Sequence, residues 1–267
     1  MYKRQALAEP WAVEHALRTL RRLRAEQADP AALRHAPGGV GGLLDDQVQV
    51  ALAALEAFEV TGEAEWIDWS GAIMERVWRD YRDPLGGGLY DTAERDGPGL
   101  LPTRATPVQD APTPSPNGVA ALCLARLHAH TQAPEWAERR DALLGAFAGA
   151  APALGIYGAT LLLALDWAVQ PAAHLVIVAG EGPEAEPLAD AMHRAALATW
   201  VPRRVVRRVR PGDLDPAATP PALRAMLAAG GGTRGYACVG ATCQRPATDL
   251  AGWRAALAAI GGPAGGD

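Results

Sequence analysis

Five side chains in this chain have the types and settings to do chemistry. Asp45 and Asp46 open a helix behind a Gly-rich loop, and Asp91 and Asp110 lie in a long Gly/Pro-rich excursion over residues 82–114. A carboxylate held at a loop or helix start can act as general acid or base, and a pair of them is the machinery of glycoside hydrolysis. The same residues have a plainer use, since acids in a first helical turn answer the macrodipole and the orphan N–H groups. Tyr90, between Gly86–Gly88 and Asp91, is a ring that can stack on a sugar. The alternative for this stretch is an inserted β-hairpin with Asp91 and Thr92 as turn formers.

The second chemistry is sulfur. Cys238 and Cys243 flank a Gly240-Ala241 turn between two β-prone pieces, Gly235–Val239 and Thr242–Gln244. Such a hairpin brings the two within disulfide reach, but their spacing is not that of a redox pair at a helix start. The expectation is therefore two reduced, slowly reacting cysteines that pack a small sheet. Cys123 reads as core. No histidine–cysteine cluster has zinc spacing, because His174 and His193 stand apart. Neither a Gly-rich phosphate loop nor a Ser-His-Asp motif is seen, so no cofactor is expected.

These residues need elements to hold them. Apolar periodicity predicts helices over 10–28, 43–60, 63–80, 117–129, 134–148 and 154–169. Thr61-Gly-Glu-Ala-Glu-Trp66 reappears as Thr131-Gln-Ala-Pro-Glu-Trp136, and Ala8-Glu-Pro-Trp11 looks like a third copy. The repeat reads either as similar capped turns or as the joints of a helical-hairpin array. After Pro171 the pattern changes to a buried strand over 174–179, a helix over 183–199 and a second strand over 204–209. That order implies a parallel pair. The hairpin extends the sheet, Pro246 stops it, and Asp249 caps a last helix over 250–260. The expected organisation is a helical array over 1–170 and a small α/β subdomain over 171–267.

Composition removes other classes. The 267 residues are 49% apolar, with eight Trp but two Phe, and a net charge of −5 argues against general nucleic-acid binding. The one basic patch, Arg203–Arg210, lacks stacking aromatics and reads as an edge strand with solvent-facing arginines. Three cysteines make no disulfide framework and suggest a reducing compartment. The longest apolar run, 154–169, is too short for a bilayer, and no apolar stretch follows the charged Met1-Tyr-Lys-Arg-Gln start. A cytoplasmic protein without membrane or nucleic-acid partners is expected.

The string Tyr236-Ala-Cys-Val-Gly-Ala-Thr-Cys-Gln-Arg-Pro-Ala-Thr-Asp249 resembles the C-terminal signature of the thioredoxin-domain-containing family of spermatogenesis-associated protein twenty. Leu43-Leu44-Asp45-Asp46, Gly86–Thr92, and Asp110 with Pro114–Ala121 match three further family blocks in the same order. The resemblance implies a toroid of helical hairpins like those of six-hairpin glycosidases and sugar epimerases. It also implies an N-terminal thioredoxin-like domain and a first toroid half, both expected as missing partners of this chain. It favours Asp46 over Asp45, sets Arg104 and Asn117 beside Tyr90 as substrate contacts, and suggests a carbohydrate ligand. Three departures are visible: Gln47 stands for a family Tyr, Thr106 for a Lys and Pro116 for a Gly. The resemblance therefore leaves two functions open, a part in carbohydrate metabolism or a non-catalytic platform for the redox domain. No turnover is expected from this chain by itself.

Overall fold

The computed structural model describes residues 10–26, 33–36, 41–93, 104–213 and 219–261. The opening pentapeptide, the first repeat copy at Ala8–Glu9, residues 27–30, most of the loop at 37–42 and the middle of the 82–114 excursion lie outside them. The chain divides into a helical unit, Val13–Phe58 with Glu63–Gln170, and an α/β unit whose main part is Pro171–Asp267.

The helical unit holds α1 (Pro10–Ala25), α2 (Leu44–Thr61), α3 (Ala64–Asp80), α4 (Pro116–Thr131), α5 (Pro134–Phe147), a single turn α6 (Ala151–Leu154) and α7 (Ala159–Val169). Helix α4 is buried on every side, among others through Val119, Ala120, Cys123, Leu124 and Leu127. It packs against α5 and α7, and toward α2 through Cys123, whose Sγ lies 3.6 Å from the Val48 carbonyl. Ser115 caps it by accepting from the Gly118 N–H at 3.0 Å, with Pro116 at its first position, as the fixed proline φ allows.

The repeated hexapeptides occupy equivalent joints. Gly62 (φ 75°) and Gln132 (φ 59°) are both left-handed, each in a two-residue link, between α2 and α3 and between α4 and α5. A left-handed residue at that place ends one helix and turns the chain at once into the next. Trp66 and Trp136 then sit buried at the start of the second helix. The two hexapeptides thus form matching joints, and α4 and α5 pack against each other across theirs.

The apolar segment after α5 is longer than the sequence suggests. Ala151–Val169 is 19 residues of helix, with a mean hydropathy of 1.4 and 28% of its window buried, long and apolar enough to cross a bilayer by length and composition. The added length comes from α6, because Ala151–Leu154 and a 3-10 turn at Gly155–Gly158 join α7. Asp166 still interrupts its apolar surface.

The α/β unit has four strands, β1 (Ala173–Val178), β2 (Arg204–Val209), β3 (Arg234–Val239) and β4 (Thr242–Cys243), in the order β2-β1-β3-β4. β1 and β2 are parallel and joined through α8 (Ala185–Ala198), whereas β3 is antiparallel to both β1 and β4. A short helix the sequence reading did not foresee, α9 (Pro221–Ala228), packs Leu223, Met226 and Leu227 on Val176, Val178 and Tyr236. Helix α8 and the last helix, α10 (Leu250–Gly261), pack against each other and the sheet. Asp249 caps α10 through the Gly252 N–H at 2.7 Å.

The arginine-rich strand is tied in more firmly than a row of solvated charges. Arg208 pairs with Glu186 and Asp190, Arg210 also pairs with Glu186, and Arg204 donates to the Ala196, Leu197 and Thr199 carbonyls at the end of α8. Cations at a helix C-terminus suit its dipole.

Candidate functional site

The start of α2 and the excursion meet through backbone. Leu43 bridges to Thr92, and the Leu44 N–H donates to the Asp91 carbonyl at 2.8 Å. A second bridge, Arg82 to Leu89, closes a turn at Asp83–Gly88, so this part of the excursion is a hairpin, but its turn is not at Asp91-Thr92, where the alternative reading had it, since Thr92 pairs with Leu43. These bonds join the start of α2 to the segment of Tyr90 and Asp91, and Arg104 lies over Tyr90 from a third stretch.

Asp46 contacts His35, whose Nδ1 is 3.0 and 3.2 Å from the two carboxylate oxygens. The sequence did not single out His35; nothing about its spacing marks it. A carboxylate on Nδ1 favours the ring form that carries a proton there. Asp45 instead accepts from Gln49 along the helix at 3.3 Å. Asp91 accepts from the Ala105 N–H at 3.2 Å and from the Thr92 hydroxyl at 3.3 Å.

Tyr90 is not an open sugar platform. The Arg104 guanidinium lies 3.9 Å from its ring centroid, and Arg104 also donates to the Thr92 carbonyl at 3.4 Å. A hydrogen bond from the Tyr90 hydroxyl to Asp83 raises the phenol's pKa. The Asp83 carboxyl is itself held below its ordinary value, first by the backbone N–H groups of Gly86 and Leu85.

Asp110 and Asn117 are both bonded to backbone groups. Asp110 accepts from the Ser115 N–H at 2.7 Å and the Thr160 N–H at 2.8 Å, pinning the excursion to α4 and α7. Burial alone would raise its pKa, yet these N–H groups outweigh it and the net shift is downward. Asn117, fully buried, accepts from the Leu89 N–H at 2.8 Å and donates to the Leu89 and Pro107 carbonyls. With every polar atom engaged, it has none left for a substrate. Gln47, in place of the family's Tyr, holds Leu33 by its N–H and carbonyl at 3.1 and 2.8 Å.

Cys238 and Cys243 are directly opposed on β3 and β4 and joined by a disulfide, with Cα atoms 3.9 Å apart. This corrects the expectation of two reduced thiols: the two-residue turn seats the pair face to face, where the sequence showed only proximity. Cys123 is free and buried, its thiol pushed up to about 12 by burial. Among the described residues no group of three His, Cys, Asp or Glu gathers as a metal site.

No family profile matches the chain. It is similar to spermatogenesis-associated protein 20 of human, 26% identical over 214 residues, which covers 78% of this chain and 26% of that protein. The mouse and rat proteins of the same name are 34% and 32% identical over 106 residues, covering 40% of this chain and 13% of each. The chain thus spans about a quarter or less of the relatives' length. These relatives support the family to which the four motif blocks point.

Proposed function

We propose that the helical unit belongs to a carbohydrate-linked toroid within a longer protein and contributes a ligand-holding polar face rather than a complete catalytic centre. The Leu43–Thr92 bridge supports this reading, because it joins the start of α2, which carries Asp46 and its partner His35, to the segment that carries Asp91. Two carboxylates, an imidazole and a guanidinium suit the hydroxyls of a sugar, as donors and acceptors at fixed places. Titration of the chain with a panel of mono- and disaccharides, followed by NMR, tests it. Binding that weakens at least severalfold in Asp46→Asn and Asp91→Asn, with no turnover, is expected. Absence of shifts with every sugar overturns it.

The second reading is a non-catalytic platform for a thioredoxin-like domain. It draws support from Asp110 and Asn117, whose engagement with backbone removes two of the six carbohydrate candidates. Titrating a purified thioredoxin-like domain from a longer relative into the labelled chain separates the two.

A further inference from the structure

Three residues of the α/β sheet stand in one row. His174 on β1 is paired with Cys238 on β3, and Cys238 with Cys243 on β4. Directly opposed residues in antiparallel strands share a face, with Cβ atoms about 4.5–5.5 Å apart. The imidazole is therefore the neighbour of the disulfide. The two sulfurs differ in surroundings. Cys238 is 4% exposed in the apolar cluster of Val176, Leu223 and Tyr236, whereas Cys243 is exposed on a two-residue strand at the sheet edge.

The bond is also not the sole tie in the local fold. It joins residues at a sequence separation of 5, and stabilisation by loop closure is least for short loops. Backbone hydrogen bonds hold the hairpin independently: Gln244 N–H to the Ala237 carbonyl at 2.8 Å, and Gly235 with Ala247 in both directions at 2.9 Å. A disulfide that closes so short a loop constrains the unfolded chain less than one that closes a long loop.

We propose that the hairpin disulfide is a thiol–disulfide exchange site for an external dithiol, with Cys243 Sγ as the attacked sulfur and His174 as a positioning residue beside Cys238. A thiolate of the dithiol attacks Cys243 Sγ, the Cys238–Cys243 bond breaks, and its electron pair leaves on Cys238. That sulfur takes a proton from the imidazolium of His174 or from solvent. The second thiol of the reagent then attacks the mixed disulfide and expels the Cys243 thiolate. The protein gains two electrons and the dithiol closes to its own disulfide. A cation beside a departing sulfur favours its thiolate. The other charged groups on this face are Arg207 on β2 and Arg234 on β3, paired with Val176 and Val178; helix α9 contributes the apolar Leu223, Met226 and Leu227.

The experiment is native reduction of the full chain by dithiothreitol, quenched with iodoacetamide and mapped by mass spectrometry. Cys238 and Cys243 are expected to become alkylated with the far-UV circular dichroism unchanged, while buried Cys123 stays unmodified and serves as an internal control. Reduction that occurs only in denaturant overturns the proposal. Brief exposure to glutathione is expected to leave its adduct on Cys243, and an adduct on Cys238 overturns the assignment of the attacked sulfur. His174→Gln is expected to slow reduction severalfold and to change its pH profile, after correction for reagent thiolate. An unchanged profile overturns the role of His174. The glutathione mapping, done on the unmodified chain, stands even if His174→Gln does not fold.

Discussion

At Asp110 the carboxylate is worth more to the fold than to any substrate. Its folded pKa is depressed, so the stability it contributes is fully present above the ordinary carboxyl value of 3.8 and is lost as pH falls through the lower folded value. Asp110→Asn should therefore destabilise the helical unit at neutral pH by about 1.5–3 kcal/mol, the scale of hydrogen bonds to a charged acceptor. The gap between variant and parent should close as acid is added below pH 3.8, which urea unfolding over a pH series measures. Gln132 offers the opposite case. It adopts the left-handed conformation that Gly62 supplies at the matching joint. Gln132→Gly removes a Cβ conflict there and should stabilise the chain by roughly 0.5–1 kcal/mol, read as a higher midpoint of thermal unfolding. The repeat was legible in sequence because Trp66 and Trp136 share a spacing. The left-handed turn was legible at Gly62 but hidden at Gln132, a residue type that does not announce it. His35 was hidden for a different reason: its partnership with Asp46 depends on tertiary approach, not spacing.

At the scale of elements, strands and helices with continuous apolar runs or clear caps were readable, and contacts made at a distance were not. β1 declares itself through Leu-Val-Ile-Val, and α10 through Asp249. Helix α9 is short and Ala-rich, and a pair of prolines, Pro220 and Pro221, stands at its start, so its periodicity was too brief to register. β2 does lie at the sheet edge, as its arginines suggested, but their ion pairs were not legible because the acidic partners lie on α8, more than a dozen residues earlier. One contact between elements was equally silent in sequence. A Cβ on Gly235 would stand 2.5 Å from the Trp253 ring, so α10 rests its indole on the bare backbone of β3. Trp253 is fully buried and donates from Nε1 to the Met192 carbonyl of α8 at 2.8 Å. It cannot retreat without giving up that bond. Gly235→Ala should then cost about 1–3 kcal/mol, as overpacking does, and should shift the tryptophan near-UV signal. An unchanged unfolding midpoint would show that the indole has room to move.

For the molecule as a whole, the surface of α6 and α7 is the feature most out of balance with a soluble fold. Ile156 is 83% exposed, Leu163 58% and Val169 64%, and Tyr157, Leu162 and Leu165 are exposed beside them. Single exposed leucines are ordinary, but neighbouring ones on consecutive turns make a patch, and patches of this kind mark contact surfaces or aggregation hazards. The inner side of the same helix is well used, since Leu161 and Ala164 are buried and α7 packs on α4 and α5. The imbalance is therefore confined to one face rather than a sign that the helix is misplaced. Burying that face against a second copy removes apolar area from water at roughly 25 cal/mol per Å², and no charge except Asp166 stands in the way. The chain should accordingly self-associate as its concentration rises. Sedimentation velocity across a wide concentration series measures this. Leu163→Glu, which places charges in the patch but not in the core, should shift the population back to monomer while leaving the helical circular dichroism intact. The stretch is also long enough to span a bilayer, so the same samples should be floated with lipid vesicles. A chain that stays monomeric at every concentration, or that leaves solution for the vesicles as a monomer, would overturn self-association through this face.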